Sequence, residues 1–439
     1  MKKAALHNLG CKVNAYETEA MEELLKKDGF TIVSFDEVAD VYVINTCSVT
    51  NIADRKSRQM IHKCKKINPD ACVVAAGCYV QNFGKDIPEE LGADIILGNN
   101  KKNDLVAKIH EYFESLGGEP IVDYIDINNG TVDYENMHIE KDSEHTRAFV
   151  KVQDGCNQFC SYCIIPFARG RIRSRDIEDV VEEVTGLAKN GYKEVVINGI
   201  HLSSYGSGKD YTLIELLEAV EKIDGIERIR LGSLEPQIVT EDFAKRVSAL
   251  TKICPHFHLS LQSGCDTVLV RMNRKYTIEQ YTKGVEILRR YFDDPAITTD
   301  IIVGFPGETE EEYAITEDYV RQIAFYELHV FAYSKREGTK AATMPGQITN
   351  AIKKQRSASL ITVGNQCTKE YRLKHVGQQL DILFEEKTSI DGQDYFVGFS
   401  REYIKCAIKA QGDQDYTNCI IKASGKALTE DGQYLVVEI

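Results

Sequence analysis

Residues 156–163 read Cys156-Asn157-Gln158-Phe159-Cys160-Ser161-Tyr162-Cys163 and follow an apolar run, Ala148–Val152, that is typical of a β-strand. Three thiolates at this spacing can hold three irons of a [4Fe–4S] cluster, which normally takes four cysteines. The fourth iron then stays open and can bind the amino and carboxylate groups of S-adenosylmethionine (SAM). An electron from the cluster can cleave SAM to a 5′-deoxyadenosyl radical. The motif therefore predicts such a site, with a structural zinc site that has a distant fourth ligand, or a set of core thiols, as the alternatives.

The motif begins a region in which strand-like and helical patterns alternate. Helical stretches such as Ile177–Asn190, Leu213–Ile223 and Ile278–Tyr291 separate the strands. Six such units predict a partial (β/α)6 barrel of the TIM type over residues 146–345, with its chemistry at the C-terminal ends of the strands. The six strand-like runs are Ala148–Val152, Glu194–Asn198, Arg228–Leu231, Phe257–Leu261, Ile297–Val303 and Tyr326–Phe331.

The segments on either side of this region predict two further domains, as expected for 439 residues. Residues 1–116 alternate strands with helices and indicate a Rossmann-like parallel α/β domain. Residues 117–145 are polar and acidic and are interpreted as a linker, and residues 346–374 as a basic connecting segment. Residues 375–439 contain short alternating runs with Gly-containing turns, which predicts a small antiparallel β-barrel.

Three cysteines of the N-terminal domain each lie where a strand-like run ends: Cys11, Cys47 and Cys78. Parallel strands bring such ends to one edge of a sheet, so the three thiolates can converge on a second cluster. Taken singly, each is as well explained as a small buried apolar residue. The other seven cysteines lack this arrangement, and we assign them to hydrophobic cores.

Composition limits the possible partners of the chain. Thirteen cysteines in a chain without a recognisable signal peptide favour metal or redox chemistry over disulfides and predict a cytoplasmic protein with no membrane segment. The formal charge of −14 means that an RNA partner must use local basic patches. Solvated surface charge is the alternative for both candidate patches. They are Arg55, Arg58 and Lys65 on a basic amphipathic helix, and the alternating Arg169, Arg171, Arg173 and Arg175.

With both cysteine triplets in view, the chain resembles the radical SAM methylthiotransferase family over essentially its whole length. The surroundings of Cys11 (Asn8–Glu19) and Cys47 (Asn45–Gln59) are most similar to the branch that modifies threonylcarbamoyladenosine in tRNA. The resemblance implies SAM, two [4Fe–4S] clusters, a tRNA substrate, a TRAM-like C-terminal RNA-binding barrel and an electron donor such as a flavodoxin or ferredoxin. No obligate protein partner is evident. The last barrel has eleven acidic and six basic residues, which departs from a basic RNA-binding barrel.

The resemblance also implies roles for individual residues. Cys156, Cys160 and Cys163 would bind the cluster that makes the radical, and Cys11, Cys47 and Cys78 an auxiliary cluster that carries the incoming sulfur. Further SAM contacts are expected beside Cys163 and just beyond strand ends, where a packing, capping or turn role is the alternative for each. These candidates are Tyr162, Asn198, Ser233, Gln262 and Gly304. A ribosomal-protein substrate, another tRNA adenosine, or a non-catalytic RNA-binding role are the competing functions.

Overall fold

The N-terminal domain is built on a six-stranded parallel sheet of order β2-β1-β3-β4-β5-β6. The computed structural model describes residues 2–83, 91–115, 119–130, 132–140, 146–412 and 414–439. Apolar cores cover both faces of the sheet, as the Rossmann-like prediction requires. Its elements are β1 (Lys3–Asn8), α1 (Lys12–Lys27), β2 (Thr31–Ile32), β3 (Val41–Thr46), α2 (Asn51–Ile67), β4 (Cys72–Gly77), α3 (Cys78–Gln81), β5 (Ile95–Leu97), α4 (Leu105–Glu114) and β6 (Ile121–Asp123).

The segment predicted to be a linker contributes to this domain. Strand β6 pairs in parallel with β5, so the sheet continues beyond residue 116. Met137 and Ile139 are buried in the N-terminal core, and the hydroxyl of Tyr16 donates to the Met137 carbonyl. Residues 117–118, 131 and 141–145 of the segment lie outside the described residues. The linker prediction is therefore wrong for these packed parts, where sparse apolar residues concealed the burial.

The central region forms the predicted partial barrel of six parallel strands, β7, β9, β10, β11, β12 and β13. A bridge between Ile229 and Ile253 joins its two sheets. Strand β11 is shorter and earlier than the predicted Phe257–Leu261. The elements are β7 (Arg147–Asp154), α5 (Ile165–Arg169), β8 (Arg173–Ser174), α6 (Ile177–Lys189), β9 (Glu194–Gly199), α7 (Leu213–Glu221), β10 (Arg228–Leu231), α8 (Glu241–Ser248), β11 (His256–His258), α9 (Asp266–Arg271), α10 (Ile278–Tyr291), β12 (Ala296–Val303), α11 (Glu310–Ile323), β13 (Glu327–Ala332) and α12 (Asn350–Lys374).

Side chains alternate along the barrel strands between an apolar outer layer and a polar lumen. Residues such as Val195, Ile229 and Phe257 belong to the core between the strands and the surrounding helices. Their neighbours therefore face the lumen, because successive side chains of a strand point to opposite sides. The polar lumen positions include Glu194, Arg228, Arg230, His256, His258, Thr298, Asp300 and His329.

The last segment forms a closed five-stranded barrel of order β14-β15-β16-β18-β17. All of its pairings are antiparallel except that of β16 with β18, which is parallel. Most of the basic segment before it, residues 350–374, forms α12, which packs against β13 and α11. None of the helices within the described ranges is long and apolar enough for a bilayer crossing. The strands are β14 (Gln379–Ile390), β15 (Gln393–Ser400), β16 (Lys405–Lys409), β17 (Ile420–Leu428) and β18 (Leu435–Glu438).

The C-terminal barrel covers the N-terminal end of the central barrel. Arg228 donates to the carbonyls of Asp381 (2.7 Å) and Phe399 (3.0 Å). Arg230 donates to the carbonyl of Arg401 (3.0 Å) and is paired with Glu194 (2.7 Å). The lumen is closed at this end, so the opposite end, where the strands lead into the cysteine loop, is its open face.

A buried ionic cluster joins the N-terminal domain to the central barrel. Nη1 of Arg169, at the end of α5, lies 2.8 Å from Glu17 of α1 and 3.1 Å from Asp154 of β7. Lys151 contacts both carboxylates at 2.7 Å, and Lys102 reaches Glu17 at 3.1 Å. All five side chains are at most 5% exposed. Removing one member of such a cluster leaves uncompensated charge in a region that water does not reach.

We predict that Arg169→Met lowers the free energy of unfolding by about 3–5 kcal/mol, because Glu17 and Asp154 lose a buried partner. The matched control is Arg171→Met. Arg171 is exposed and stacks over the ring of Phe159, so its loss costs about 1 kcal/mol or less. Urea titrations followed by circular dichroism compare the two. Equal losses of stability in the two variants would contradict the conclusion that the buried cluster stabilises the domain junction.

Candidate active site

The loop that carries Cys156, Cys160 and Cys163 is fixed by backbone contacts on both sides. Gly155 has a φ of +71°, and a Cβ there would lie 1.9 Å from the carbonyl oxygen of Arg171. Only glycine fits this position, which turns the chain directly out of β7. Ser161 bonds the backbone of residues 271 and 272, and Ala341 donates to the Ser161 carbonyl at 2.7 Å. The three thiols are therefore presented at the open end of the lumen.

The electrostatics of this loop fit a bound cation. Burial raises the pKa of Cys163 to about 12, and the neighbouring Cys160 and Cys156 raise it further by repulsion between thiolates. Burial raises the pKa of Cys156 to about 11. Nη1 of Arg274 donates to the Cys160 sulfur at 3.2 Å. Thiolates that crowd one another in a buried site are stabilised by a metal, which a three-cysteine loop can ligate.

The three N-terminal cysteines also converge. They follow the carboxyl ends of the adjacent parallel strands β1, β3 and β4, whose last pairs are Asn8 with Asn45 and Thr46 with Gly77. Burial raises the pKa of Cys47 to about 11, and the charges of Cys78 and Cys11 add to this increase. A Cβ on Gly10, whose φ is +108°, would lie 2.8 Å from the Cys47 sulfur. The guanidinium of Arg169 opposes the increase that burial causes in the pKa of Cys11. This donor set fits a second cluster in the same way as the first.

Helix α5 connects the two cysteine sets. It begins two residues after Cys163, packs against α3, which begins at Cys78, and ends at Arg169 beside the N-terminal cysteines. Five helical residues span about 7.5 Å. Asn99 fixes the contact, since its Nδ2 donates to the Cys78 sulfur (3.5 Å) and to the Ala168 carbonyl (2.7 Å). The two sets are held at a short, fixed separation.

The other seven cysteines have no such grouping. Six of them, Cys64, Cys72, Cys254, Cys265, Cys367 and Cys406, are buried, and Cys419 is exposed. All thirteen cysteines are free thiols.

The SAM candidates differ in what surrounds them. Tyr162 packs edge-on against Phe305, with ring centroids 6.4 Å apart, beside the loop. Nδ2 of Asn198 is buried and has no hydrogen-bond partner among the described residues, which suits a ligand contact. Gln262 has a φ of +68°, a left-handed conformation that is rare for glutamine and frequent at functional sites.

The contacts of Ser233 and Gly304 give less support for a role in SAM binding. Ser233 is exposed just after β10. The N–H of Gly304 donates to Glu308 at 2.6 Å, and a Cβ on Gly304 would lie 2.2 Å from the side chain of Lys353. The turn role is therefore a sufficient explanation for this glycine. All five SAM contacts stay predictions.

The prediction of an RNA-binding arginine row is wrong for three of its four members. Arg169 is fully buried in the ionic cluster, and Arg175 is buried against Glu183. Arg173 is also buried and donates to the carbonyl of Arg169 at 2.9 Å. Of this row, Arg171 alone is exposed. Buried arginines that are already paired cannot reach phosphates, so these three side chains have a structural role.

Helix α2 has the predicted division of faces. Ile61 and Cys64 are buried, whereas Arg55, Arg58 and Lys66 are exposed. Arg58 also donates to the hydroxyl of Tyr79 at 2.9 Å. Lys65 does not fit the predicted free surface, because it is half-buried and pairs with Asp94 at 2.7 Å. Arg55 and Lys66 make no ion pair with any described residue, so they are the available cations of this face.

Sequence reasoning missed three polar residues of the site. Arg274 lies 114 positions from the Cys160 that it contacts, and no local pattern links them. Asn99 follows the end of β5, so the strand-end logic that found Cys78 applies to it equally. Lys12 directly follows Cys11, and part of its side chain is exposed. Protein atoms packed around its ammonium lower the pKa of Lys12, and Tyr403 and Asp300 are among the charges that act on it.

Comparisons with known proteins agree with this architecture. The family described as "Radical SAM superfamily" matches residues 150–320, and "Uncharacterized protein family UPF0004" matches residues 3–98. The chain is 41% identical to "Threonylcarbamoyladenosine tRNA methylthiotransferase MtaB" of Bacillus subtilis (strain 168), over 96% of this chain and 93% of that one. The protein with the same name from Aquifex aeolicus is 38% identical, with 92% and 97% covered.

A differently named relative is nearly as similar. "tRNA-2-methylthio-N(6)-dimethylallyladenosine synthase" of Thermoanaerobacter pseudethanolicus is 37% identical, over 87% of this chain and 81% of that one. Among solved structures, the radical S-adenosylmethionine methyltransferase TsrM from Kitasatospora setae has a TM-score of 0.55 at 13% identity, with 76% and 72% of the two chains covered. This last likeness concerns the fold alone.

Proposed function

Because the chain belongs to the radical SAM methylthiotransferases, of the MtaB type, we propose that its substrate is tRNA carrying N6-threonylcarbamoyladenosine next to the anticodon. The product is 2-methylthio-N6-threonylcarbamoyladenosine. The observation that carries this proposal is the pair of cysteine triplets at the two ends of α5, in a chain 41% identical to an MtaB protein.

The proposed roles of the residues follow from their positions. Cys156, Cys160 and Cys163 would hold the cluster that binds SAM, and Cys11, Cys47 and Cys78 the auxiliary cluster. When bound, these groups would supply the radical that removes the hydrogen from C2 of the adenine and the sulfur that replaces it, with the methyl group of that sulfur coming from a second SAM molecule. The guanidinium of Arg274 donates to the Cys160 sulfur at 3.2 Å and would hold this ligand in position. A flavodoxin or ferredoxin is the proposed electron donor.

The fold supports entry of the nucleoside from one direction. The C-terminal barrel closes one end of the lumen through Arg228 and Arg230. The other end opens beside both cysteine triplets, where α5 and Asn99 fix their separation. An adenosine held in this opening has its reacting carbon near both sites at once, which is the positional requirement of hydrogen abstraction followed by sulfur transfer.

A second candidate is methylthiolation of N6-dimethylallyladenosine in tRNA. The 37% identity to proteins named for that nucleoside favours it. The two substrates share the adenine and differ in the N6 substituent, which is polar and anionic in one and apolar in the other. Their discrimination is a property of the side chains around that substituent.

The first prediction of this proposal concerns the substrate. Anaerobically reconstituted protein is incubated with SAM, a reductant and tRNA that carries either threonylcarbamoyladenosine or dimethylallyladenosine. Mass spectrometry of the digested nucleosides should show a gain of a methylthio group on the threonylcarbamoyl nucleoside. Modification of the dimethylallyl nucleoside alone would favour the second candidate, and modification of neither would reject both.

The second prediction concerns the division of labour between the cysteine sets. Replacing Cys11, Cys47 and Cys78 together with Ala should remove about half of the iron and abolish methylthiolation. Release of 5′-deoxyadenosine should survive, because the open iron belongs to the other set. The reciprocal variant of Cys156, Cys160 and Cys163 should lose both products. An N-terminal variant with full iron and full methylthiolation would show that those three cysteines are ordinary core residues.

The third prediction concerns tRNA binding by the exposed face of α2. Arg55→Glu combined with Lys66→Glu should weaken binding and reduce the slope of log affinity against log salt by up to about 2, because two phosphate contacts are lost. The matched control, Lys222→Glu with Lys245→Glu, makes the same charge change on exposed residues of the barrel helices. If both variants weaken tRNA binding equally, the effect comes from the change in net charge, and α2 is not a binding surface.

A further inference from the structure

Three polar side chains lie together on the lumen wall formed by β11, β12 and β13. They are His258, Asp300 and His329, and one ligand atom of each lies within 4.8 Å of the others. The pairing of β12 with β13 places Asp300 directly opposite His329, and the two histidine rings stack with centroids 5.8 Å apart. The cluster is therefore set by strand register and does not depend on a flexible loop.

One ring nitrogen of this cluster makes only a long polar contact. Nδ1 of His258 lies 3.1 Å from the hydroxyl of Thr298. Its Nε2 is buried and lies 3.4 Å from the Asp300 carboxylate, which is an ion pair when the ring is protonated and too long for a strong hydrogen bond. A ligand that offers this nitrogen a closer acceptor or donor therefore improves its hydrogen bonding. The open side of the cluster faces the lumen, where His329 is exposed.

A cation faces the same space from the N-terminal domain. Lys12 is the first residue of α1, and its ammonium lies 6.0 Å from the ring centroid of Phe149. Part of its side chain is exposed, and its positive charge acts on the carboxylate of Asp300. It makes no ion pair within the described part of the chain.

The neighbouring cations are already paired with carboxylates. Arg147 is paired with Glu385 at 2.5 Å, and Arg230 with Glu194 at 2.7 Å. Lys12 is therefore the cation that remains available to an anionic group in the lumen.

We propose that Lys12, His258, Asp300 and His329 form the subsite for the N6 substituent of the substrate, and that Lys12 receives the carboxylate of its threonyl group. This inference rests on the proposed function and names the residues that select the N6 substituent of the substrate. Asp300 can accept a hydrogen bond from the threonyl hydroxyl or a carbamoyl N–H of the substituent. Nε2 of His258 can form a hydrogen bond with another polar atom of the same substituent. The carboxylate makes charge-assisted contacts, which are about twice as strong as neutral hydrogen bonds.

Two other occupants fit the charges less well. A dimethylallyl group would place an apolar surface against Asp300 and the ammonium of Lys12 and would offer neither of them a hydrogen bond. The His-Asp-His arrangement also suits a divalent metal ion, but the positive charge of Lys12 acts on Asp300 and opposes a further cation there. An organic carboxylate is the ligand that complements both the cation and the polar wall.

The test varies the charge on the enzyme and on the substrate together. Anticodon stem-loops carry either threonylcarbamoyladenosine or its neutral methyl ester, and kcat and KM are measured for methylthio product. In the unaltered protein the ester should raise KM by about tenfold or more, because a charged contact is lost. In Lys12→Gln the carboxylate substrate should show a similar rise, and the ester should show little further change. Lys12→Arg should recover the preference for the carboxylate.

Controls separate this subsite from structural effects. Lys222→Gln, on an exposed helix end, should discriminate like the unaltered protein. Because Lys12 adjoins Cys11, iron content is measured for each variant. If Lys12→Gln loses iron, His329→Gln decides the question, since it lies on β13 away from both cysteine sets and should also reduce the discrimination against the ester.

Three results would be decisive against the subsite. Full discrimination against the ester in both Lys12→Gln and His329→Gln would overturn it. A preference for the carboxylate that disappears on dialysis with EDTA and returns with Zn²⁺ or Mn²⁺ would assign the cluster to a metal instead. Absence of methylthiolation of threonylcarbamoyladenosine by the unaltered protein would reject the proposed function itself, a different result from loss of discrimination among active variants.

Discussion

The contact of Arg169 with Glu17 and Asp154 is the constraint on which the rest of the site depends. Charged groups are stable out of water only when every partner is held in place, so the cluster tolerates little displacement of α1, β7 or α5. The same helix α5 that delivers Arg169 begins beside Cys163. The same helix therefore fixes both the geometry of the domain junction and the distance between the two cysteine sets. An excess of cations in the cluster also favours thiolates nearby, and Arg169 opposes the increase that burial causes in the pKa of Cys11.

The central barrel is closed by its neighbours in a way that gives the lumen one mouth. The C-terminal barrel accepts hydrogen bonds from Arg228 and Arg230 at the bottom. At the side, the N-terminal domain spans the gap between the first and last strands. Helix α1 packs on β7, while Asn51 of α2 donates to the carbonyl of Lys335 just beyond β13. Six strands leave a barrel open, and the N-terminal domain supplies the missing wall together with a second set of thiols.

Sequence patterns predicted what local spacing controls. The cysteine loop follows from the spacing of its three cysteines. The strand ends that carry Cys11, Cys47 and Cys78, the order of the barrel strands and the two faces of α2 follow from periods of two or 3.6 residues. The arginine row failed because burial of Arg169 and Arg175 depends on Glu17 and Glu183, and no spacing rule reports whether an acid elsewhere in the chain folds against a given arginine. Arg274 was missed for the same reason. The packed parts of the predicted linker failed because only a few apolar anchors, such as Met137, hold them.

The start of α1 couples the auxiliary site to the lumen. Cys11 caps this helix and Lys12 is its first residue, so two adjacent side chains diverge, one toward Cys47 and Cys78 and the other toward Asp300. Glu17 anchors the same helix between one and two turns later through Arg169 and Lys151. A rigid helix transmits any displacement of its first turn to both neighbours, because its backbone hydrogen bonds fix successive residues together. A shift that moves the thiol of Cys11 must also move the ammonium of Lys12, so the positions of sulfur source and substrate are set by one element.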